Sequence, residues 1–198
     1  TGLARSELAV RRDRELSSDE EAVFLAGLER RARREPLAYV LGEWGFRRLT
    51  LAIDSRALVP RPETEVVVER CLELLAGLEE PRVVDVGVGS GAIALAIADE
   101  HPGARVVALD SSEPALALAE ENRVRAGVDG RVRLVHGDLL TGIQGPIDLV
   151  VSNPPYVEPD ELPTLMADVR EFEPHLALVG SGATEAVART ALQELVPE

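Results

Sequence analysis

The chain of 198 residues contains one cysteine, Cys71, and no lysine. A single cysteine excludes an internal disulfide and a cysteine-based metal site. Because structural disulfides belong to oxidising compartments, we expect a protein of the reducing cytoplasm. Cys71 falls in the apolar repeat of a predicted helix, so we interpret it as a buried side chain and not as a nucleophile. All 21 basic residues are arginine, which we attribute to genome composition.

Long apolar runs are also lacking, since no stretch approaches the length that crosses a bilayer. No signal peptide is visible, although the first residue is Thr1. Hydrophobic residues still make up 45% of the chain, which is enough for the core of one ordinary domain with a small appendage. The net charge of −14 repels phosphate backbones. Composition therefore predicts a globular protein without a membrane partner and weighs against nucleic acid as a substrate.

The first part of the chain predicts helices. Residues up to about Leu41 favour a helical segment, with Ser18 and Glu21 forming a capping box. Four arginines lie further along this segment, within residues 30–34. We interpret them as a solvated helix end, favourable near the helix C-terminus, with contact to an acidic or RNA-bearing partner as the alternative.

A small β-hairpin is predicted next, because apolar and other residues alternate between 43 and 59. The prolines of residues 59–65 then interrupt regular structure. A helix is expected to begin at Pro62 or Thr64, where Glu63 and Glu65 favour its first turn.

From Pro81 onwards, strands and helices alternate, which predicts parallel β-α-β units with right-handed crossovers. The predicted strands cover residues 82–86, 105–110, 131–135 and 147–151. The predicted helices cover residues 92–99, 112–125 and 184–196. Residues 159–174 are expected to be irregular apart from a short helix.

A glycine-rich turn, Asp85-Val86-Gly87-Val88-Gly89-Ser90-Gly91, joins the first of these strands to its helix. Its glycines permit a tight turn and a close approach of a ligand to the backbone. The N-terminus of the helix offers N–H groups to a carboxylate or phosphate. Gly87, Gly89 and Ala92 also satisfy the dinucleotide fingerprint. The turn therefore does not by itself separate a nicotinamide cofactor from an adenosyl one.

Acidic residues end or follow the next two strands. Asp110 stands where a carboxylate accepts hydrogen bonds from ribose hydroxyls. The alternative role for Asp110 is to cap the following helix, but Ser112 suits that role better. Asp138 and Leu139 suit an adenine amino group and ring face, and a simple turn aspartate is the alternative for Asp138.

The motif Asn153-Pro154-Pro155-Tyr156 follows the apolar run 147–151, at the carboxyl end of a predicted strand, where ligands bind in open α/β sheets. Proline lacks an N–H, so the local backbone offers acceptors but few donors. Asn153 Oδ1 and a backbone carbonyl suit the two hydrogens of a planar –NH2 group, on which Tyr156 can stack. The motif therefore indicates chemistry on an amide or amino nitrogen.

In their order and spacing, these motifs resemble a class I S-adenosylmethionine-dependent methyltransferase over residues 81–156. More narrowly, the chain resembles the N5-glutamine methyltransferases of peptide-chain release factors. The sister family that methylates a ribosomal-protein glutamine shares Asn-Pro-Pro-Tyr but typically departs from Arg-Pro-Glu-Thr-Glu. The stretches that carry the narrower match are Arg34-Glu35-Pro36-Leu37-Ala38-Tyr39-Val40-Leu41-Gly42, Trp44-Gly45-Phe46, Val59-Pro60-Arg61-Pro62-Glu63-Thr64-Glu65 and Phe172-Glu173-Pro174.

The resemblance implies an α/β fold, a Rossmann-like sheet with helices on both faces, preceded by a small helical domain and a hairpin. The expected units are a partial substrate-recognition domain at 1–42, a hairpin linker at 43–59 and an S-adenosylmethionine-binding catalytic domain at 60–198. The family has a longer helical domain and further strands after the last helix. We therefore expect a sheet that lacks its C-terminal strands.

The resemblance also implies the site. Catalysis is expected from Asn153, Pro154 and Tyr156, and no metal is needed. Substrate contacts are expected from Asn153, Pro154, Pro155, Tyr156, Phe46, Arg61 and Glu63. The expected cofactor contacts are Asp85, Gly87, Val88, Gly89, Ser90, Gly91, Asp110, Asp138, Leu139 and Asn153.

The implied reaction moves a methyl group from S-adenosylmethionine to the glutamine of the Gly-Gly-Gln loop of class I release factors, leaving S-adenosylhomocysteine. We expect a monomer. The nearest alternative is methylation of a nucleic-acid amino group, adenine N6 or guanine N2, which the acidic charge disfavours. A ribosomal-protein glutamine is a further alternative. A nicotinamide-dependent oxidoreductase would leave Asn153 unexplained, and a protein that binds the cofactor without turnover is the non-enzymatic reading.

Overall fold

The computed structural model describes residue 7, residues 10–143 and residues 145–195. Helix α1 (Ser18–Ala32) begins with a capping box, but at Ser17 and Glu20. The Ser17 hydroxyl accepts the Glu20 amide at 3.3 Å, and the Glu20 carboxylate accepts the Ser17 amide at 2.9 Å. The predicted Ser18–Glu21 box is therefore wrong by one residue. Glu20 also accepts a hydrogen bond from Arg14 at 3.0 Å, which favours the earlier register.

The four arginines at the end of α1 and just after it are not all solvated. Arg30 pairs with Glu35 and donates to the carbonyl oxygens of Tyr39 at 2.9 Å and Val40 at 3.2 Å. It thereby joins α1 to the short helix α2 (Leu37–Leu41). Arg31 also donates to the backbone, at the Glu35 carbonyl oxygen, whereas Arg33 and Arg34 are exposed. The correction thus concerns Arg30 and Arg31, and its cause is the turn that brings α2 back against the end of α1.

The predicted hairpin is confirmed. Strand β1 (Glu43–Phe46) pairs antiparallel with β2 (Leu49–Ala52), with Trp44 opposite Leu51. Phe46 and Leu51 are both buried in the main core. Helix α3 (Pro62–Leu75) follows, with Pro62 in its first turn as expected.

The central sheet has four parallel strands in the order β5-β4-β3-β6. Their bounds lie within two residues of the predicted ones: β3 (Arg82–Val86), β4 (Arg105–Asp110), β5 (Val132–His136) and β6 (Leu149–Ser152). The chain leaves β3 towards β4 and β5 and then returns to pair β6 on the other side of β3. The order of strands therefore reverses between β3 and β6, and ligands bind at such a switch point.

Helices cover both faces of this sheet, as predicted. Val83 and Val106 point into the core cluster that contains helix α4 (Ala92–Glu100), while Val84 and Val86 belong to a second cluster. Helix α5 (Glu113–Ala126) buries Ala119 in the first cluster, and the last helix packs on the second. Cys71 is buried on α3, and burial raises its thiol pKa to about 11.

The segment after β6 is more ordered than predicted. A 3-10 turn (Leu162–Thr164) and two short helices, α6 (Ala167–Phe172) and α7 (His175–Leu178), precede α8 (Ala183–Leu195). Among the described helices, none is long and apolar enough to cross a membrane. The division at residues 42 and 59 stays a prediction, although all three stretches contribute side chains to one core cluster.

Candidate active site

A cleft opens at the carboxyl ends of β3, β4, β5 and β6. It brings together most of the residues that the sequence predicted for the site. The predicted residues that line it are Arg61, Gly87, Val88, Gly89, Ser90, Asp110, Asp138, Leu139, Asn153, Pro154 and Pro155.

The glycine-rich turn is held in a conformation that only glycine adopts readily. Gly87 has a φ of +77°, and a Cβ there would meet no atom within 4 Å, so this backbone is open to a ligand. The amides of Gly87 and Val88 both donate to the Leu109 carbonyl oxygen at 2.8 Å. Gly91, with a φ of +90°, is the N-cap of α4 and, although expected to contact the cofactor, does not line the cleft. The end of β4 therefore sets the shape of the turn.

The Asp110 carboxylate is oriented by two backbone amides. Its Oδ2 accepts from Gly89 and its Oδ1 from Ser112, both at 2.9 Å. Ser112 itself caps α5, accepting the Ala115 amide at 3.3 Å. The helix cap is therefore Ser112, as the sequence favoured. Each oxygen of Asp110 retains a lone pair that a ligand hydroxyl can use.

Asp85 is buried and does not line the cleft. Its Oδ2 accepts the Ala94 amide at 3.1 Å, while Oδ1 has no hydrogen-bond partner among the described residues. Burial raises the pKa of this carboxyl to about 7, and the charge of Asp110 adds to the effect. Asp85 thus lies beside the glycine-rich turn as a buried acid, one oxygen of which lacks a partner in the described part of the chain.

Asn122 on α5 is a residue that the sequence analysis missed. Its side chain is fully buried. It donates to the carbonyl oxygens of Ala52 at 3.0 Å and Ser90 at 2.9 Å, and accepts the Ala52 amide at 2.6 Å. It therefore ties the hairpin to the glycine-rich turn. Its signal in the sequence is a polar residue at a position that continues the buried Ala115, Leu118 and Ala119 face.

Asp138 and Leu139 reach the cleft from the end of β5. The Gly137 amide donates to the Asp110 carbonyl oxygen at 3.1 Å, which places the two acidic positions side by side. Leu139 has a φ of +50°, uncommon for a residue other than glycine. Such strained backbone occurs at ligand sites when the surrounding structure enforces it.

The Asn-Pro-Pro-Tyr motif starts where β6 ends. Ser152 donates to the Val86 carbonyl oxygen at 2.7 Å, which fixes this end against β3. Asn153, Pro154 and Pro155 line the cleft, and the Asn153 amide makes no side-chain hydrogen bond to any described residue. Tyr156 lies outside the cleft lining, with its side chain exposed to 71%. The motif thus presents an available planar amide, with an exposed aromatic ring beside it.

The chain after α7 holds this motif in place. The Val157 amide donates to Leu178 at 3.0 Å, and the Gly180 amide donates to Val157 at 3.2 Å. A Cβ on Gly180 would lie 2.6 Å from both the Cγ and the carbonyl oxygen of Pro155. Only glycine therefore fits against this proline.

The three substrate residues expected outside the motif behave differently from one another. Arg61 lines the cleft and binds the buried Glu173 through Nη2, at 2.7 and 2.8 Å. Phe46, which was expected to wall the pocket, lies in the core, 1% exposed, because the hairpin packs its aromatic ring inwards. Glu63 also does not line the cleft, since the first turn of α3 directs it to solvent.

The segment 34–42, which the sequence analysis singled out, contacts a residue of the cleft lining. The buried Tyr39 hydroxyl of α2 donates to the Ala57 carbonyl oxygen at 2.7 Å, and Ala57 lines the cleft. Burial raises the pKa of this phenol well above its usual value, so the hydroxyl remains a donor.

Two family models match the chain. The "Methyltransferase small domain" covers residues 64–193, and the "PrmC N-terminal domain" covers residues 1–42. In structure, the chain is similar to the hMettl16 catalytic domain in complex with a MAT2A 3'UTR hairpin. That likeness has a TM-score of 0.64 at 15% identity and covers 79% of this chain and 62% of the other. At this identity, the likeness shows the class I methyltransferase fold alone.

Relatives in sequence define the family more narrowly. The release factor glutamine methyltransferase of Caulobacter vibrioides is 42% identical over 100% of this chain and 67% of its own length. That of Deinococcus radiodurans is 45% identical over 98% of this chain and 68% of its own length. The chain thus spans about two thirds of these relatives. It is a class I methyltransferase that belongs to the release factor glutamine methyltransferase family.

Proposed function

We propose that this chain transfers a methyl group from S-adenosylmethionine to the side-chain amide nitrogen of the glutamine in the Gly-Gly-Gln loop of class I release factors. The observation that carries the proposal is the place of Asn153. Its amide has no other described partner and stands in the cleft at the switch point between β3 and β6. Membership of the family supplies the class of substrate.

The cofactor side of the cleft fits S-adenosylmethionine. The open backbone at Gly87 suits the methionyl carboxylate, and Asp110 suits the ribose hydroxyls. Asp138 and Leu139 would hold the adenine. When bound, the cofactor supplies a methyl group already activated on a positively charged sulfur. Asp85 would support the turn from outside the cleft.

The substrate side must turn a poor nucleophile into an adequate one. An amide nitrogen is a weak nucleophile because its lone pair is delocalised. In our proposal, Asn153 Oδ1 and the Pro154 carbonyl oxygen accept its two hydrogens, which raises electron density on nitrogen and stabilises the positive charge that develops there. Tyr156, whose exposed ring lies beside the motif, would stack on the amide plane of the bound substrate. Correct placement of the two reactants supplies much of the remaining acceleration.

This division of roles means that no strong base is needed beside Asn153, since the proton can leave after transfer. We further propose that the enzyme acts as a monomer in the cytoplasm. The acidic net charge of −14 disfavours a nucleic-acid substrate.

The test is methyl transfer from labelled S-adenosylmethionine to a purified class I release factor, with tRNA and DNA assayed in parallel. We expect one methyl group on the loop glutamine, located by mass spectrometry. A release factor with glutamate at that position is the matched control and should remain unlabelled. Asn153→Ala should abolish transfer while cofactor affinity is largely retained. Label in RNA or DNA instead would refute the proposal, and an equal loss of cofactor affinity would refute the role of Asn153.

A further inference from the structure

A buried carboxylate joins two walls of the cleft. Glu173 lies between α6 and α7 and is 4% exposed. Its two oxygens accept hydrogen bonds from Arg61 Nη2 at 2.7 and 2.8 Å. Arg61 is the N-cap residue of α3, far away in sequence. Such charge-assisted bonds are stronger than neutral ones and fix the geometry of the groups that they join.

The surroundings of Glu173 show why this pair matters. Burial raises the pKa of the carboxyl, whereas Arg61 and the backbone amide of Val59 lower it, and the charge of Asp168 opposes them. A buried charge without its partner is strongly unfavourable. The carboxylate of Glu173 is therefore unfavourable to bury without Arg61, and an apolar side chain at this position would avoid that cost.

The two ends of the pair belong to two different segments of the chain that line the cleft. Pro60, Arg61 and Thr64 line it from the start of α3, and Pro174, Leu176 and Ala177 line it from the region of α7. The second wall continues into residues 178–180, whose backbone binds Val157 and packs on Pro155. A displacement of this wall would thus move the Asn-Pro-Pro-Tyr motif.

The glycine-rich turn is held by a separate set of hydrogen bonds. Asn122 holds Ser90, Asp110 holds Gly89, and the Leu109 carbonyl oxygen holds Gly87 and Val88. None of these contacts includes Arg61 or Glu173. The two halves of the cleft are therefore fixed by different groups of hydrogen bonds.

We propose that Glu173 is a positioning residue that acts through Arg61. The pair sets the distance between residues 60–64 and residues 174–177, and through the second wall it aligns the Asn-Pro-Pro-Tyr motif with the substrate amide. Glu173 takes no part in holding the cofactor. The inference rests on the proposed function only for the nature of the substrate. The expected effect of the pair on the position of the Asn-Pro-Pro-Tyr motif does not depend on that function.

The test compares Glu173→Gln with Glu100→Gln. The second variant is a matched control, because it breaks the largely buried Arg47–Glu100 pair, which does not line the cleft. We expect Glu173→Gln to lower kcat/KM for the release factor by about tenfold or more, because misplaced reactants react slowly. Affinity for S-adenosylmethionine, measured by titration calorimetry, should stay at the wild-type value. Glu100→Gln should retain wild-type kinetics at a temperature where it is folded.

A double-mutant cycle tests whether Glu173 acts through Arg61. Once Arg61→Met has been introduced, Glu173→Gln should have little further effect on kcat/KM, since the effects of substituting two residues in direct contact do not add. Additive losses, an equal loss of cofactor affinity, or wild-type kinetics in Glu173→Gln would each overturn the inference.

Hydrogen exchange supplies a readout that needs no substrate. In Glu173→Gln, the amides of Val157 and Gly180 should exchange faster than in the wild type, while those of Gly87 and Val88 should not change. Unchanged protection at Val157 and Gly180 would overturn the inference even if methylation is impaired. A wild-type enzyme that labels no release factor would refute the proposed function alone, because the exchange experiment still decides the role of the pair.

Discussion

A single methyl group added at position 180 should displace the Asn-Pro-Pro-Tyr motif. In Gly180→Ala the new Cβ would lie 2.6 Å from Pro155 Cγ, whereas ordinary contacts begin at 3.4 Å. Relief of the overlap needs a shift of about 0.8 Å, the difference between these distances. Gly180 cannot simply retreat, because its amide donates to Val157 at 3.2 Å. We therefore expect Pro155 to move, and Asn153 with it.

The expected size of the effect follows from that displacement. A misplacement of about 1 Å in a catalytic group can cost about 100-fold in rate, so kcat should fall by about tenfold to 100-fold. Overpacking of this kind also lowers the free energy of unfolding by about 1–3 kcal/mol. Cofactor affinity should change little, because the glycine-rich turn has its own supports at Leu109, Asp110 and Asn122.

The assay is steady-state methyl transfer to a release factor, with cofactor affinity and urea denaturation measured on the same preparations. Gly130→Ala is the matched control. A Cβ there would meet nothing within 4 Å, and its φ is not in the left-handed region. A wild-type kcat in Gly180→Ala would refute the reasoning, as would an equal loss of kcat in Gly130→Ala.

Three further changes probe the cofactor side and the stability of the fold. Asp110→Ala should weaken cofactor binding by about 1–3 kcal/mol, because ribose hydroxyls would lose their acceptor, and an unchanged affinity in titration calorimetry would remove this residue from the site. Asn122→Ala should lower the free energy of unfolding by at least about 2 kcal/mol, since backbone groups of Ala52 and Ser90 would be left buried without partners. The control Val124→Ala, on the same helix but exposed, should stay within about 0.5 kcal/mol of the wild type in urea denaturation, and similar losses in both variants would contradict the role of Asn122. The raised pKa of Asp85, about 7, means that the folded state keeps a proton that the unfolded state loses near its ordinary pKa of about 4. The contribution of Asp85 to the free energy of unfolding is therefore complete below pH 4 and is lost as the pH rises to 7, by at most about 1.4 kcal/mol per pH unit. The free energy of unfolding of the wild type relative to Asp85→Asn should fall over that range. A rise would contradict the raised pKa.

Local pattern was enough to predict most of the catalytic part of the fold. Each strand of the parallel sheet is a short apolar run, and each break between strand and helix contains glycine, proline or a capping residue. Such signals depend on a few neighbouring residues, so they can be interpreted without knowing how the rest of the chain folds. The same holds for the glycine-rich turn and for Asn153, because the carboxyl ends of parallel strands must meet at one edge of a sheet.

Predictions failed where two local choices were equally good or where a side chain had two suitable environments. The sequence Ser17-Ser18-Asp19-Glu20-Glu21 supports a capping box in either of two registers, and a hydrogen bond from the nearby Arg14 to Glu20 favoured one. Phe46 could have walled a pocket or filled a core. Only the packing of the hairpin onto the sheet placed it in the core.

The sequence by itself determined the order of strands and helices along the chain, the position of the glycine-rich turn and the chemistry of the Asn-Pro-Pro-Tyr motif, because all of these depend on neighbouring residues. Only the tertiary structure decided which distant residues support the site. Asn122 meets Ser90 and Ala52, Glu173 meets Arg61, and Gly180 meets Pro155. Such pairs join segments that fluctuate independently in the unfolded chain, and no local pattern records them. Burial then makes each contact specific, since a polar group without its partner in the interior is costly.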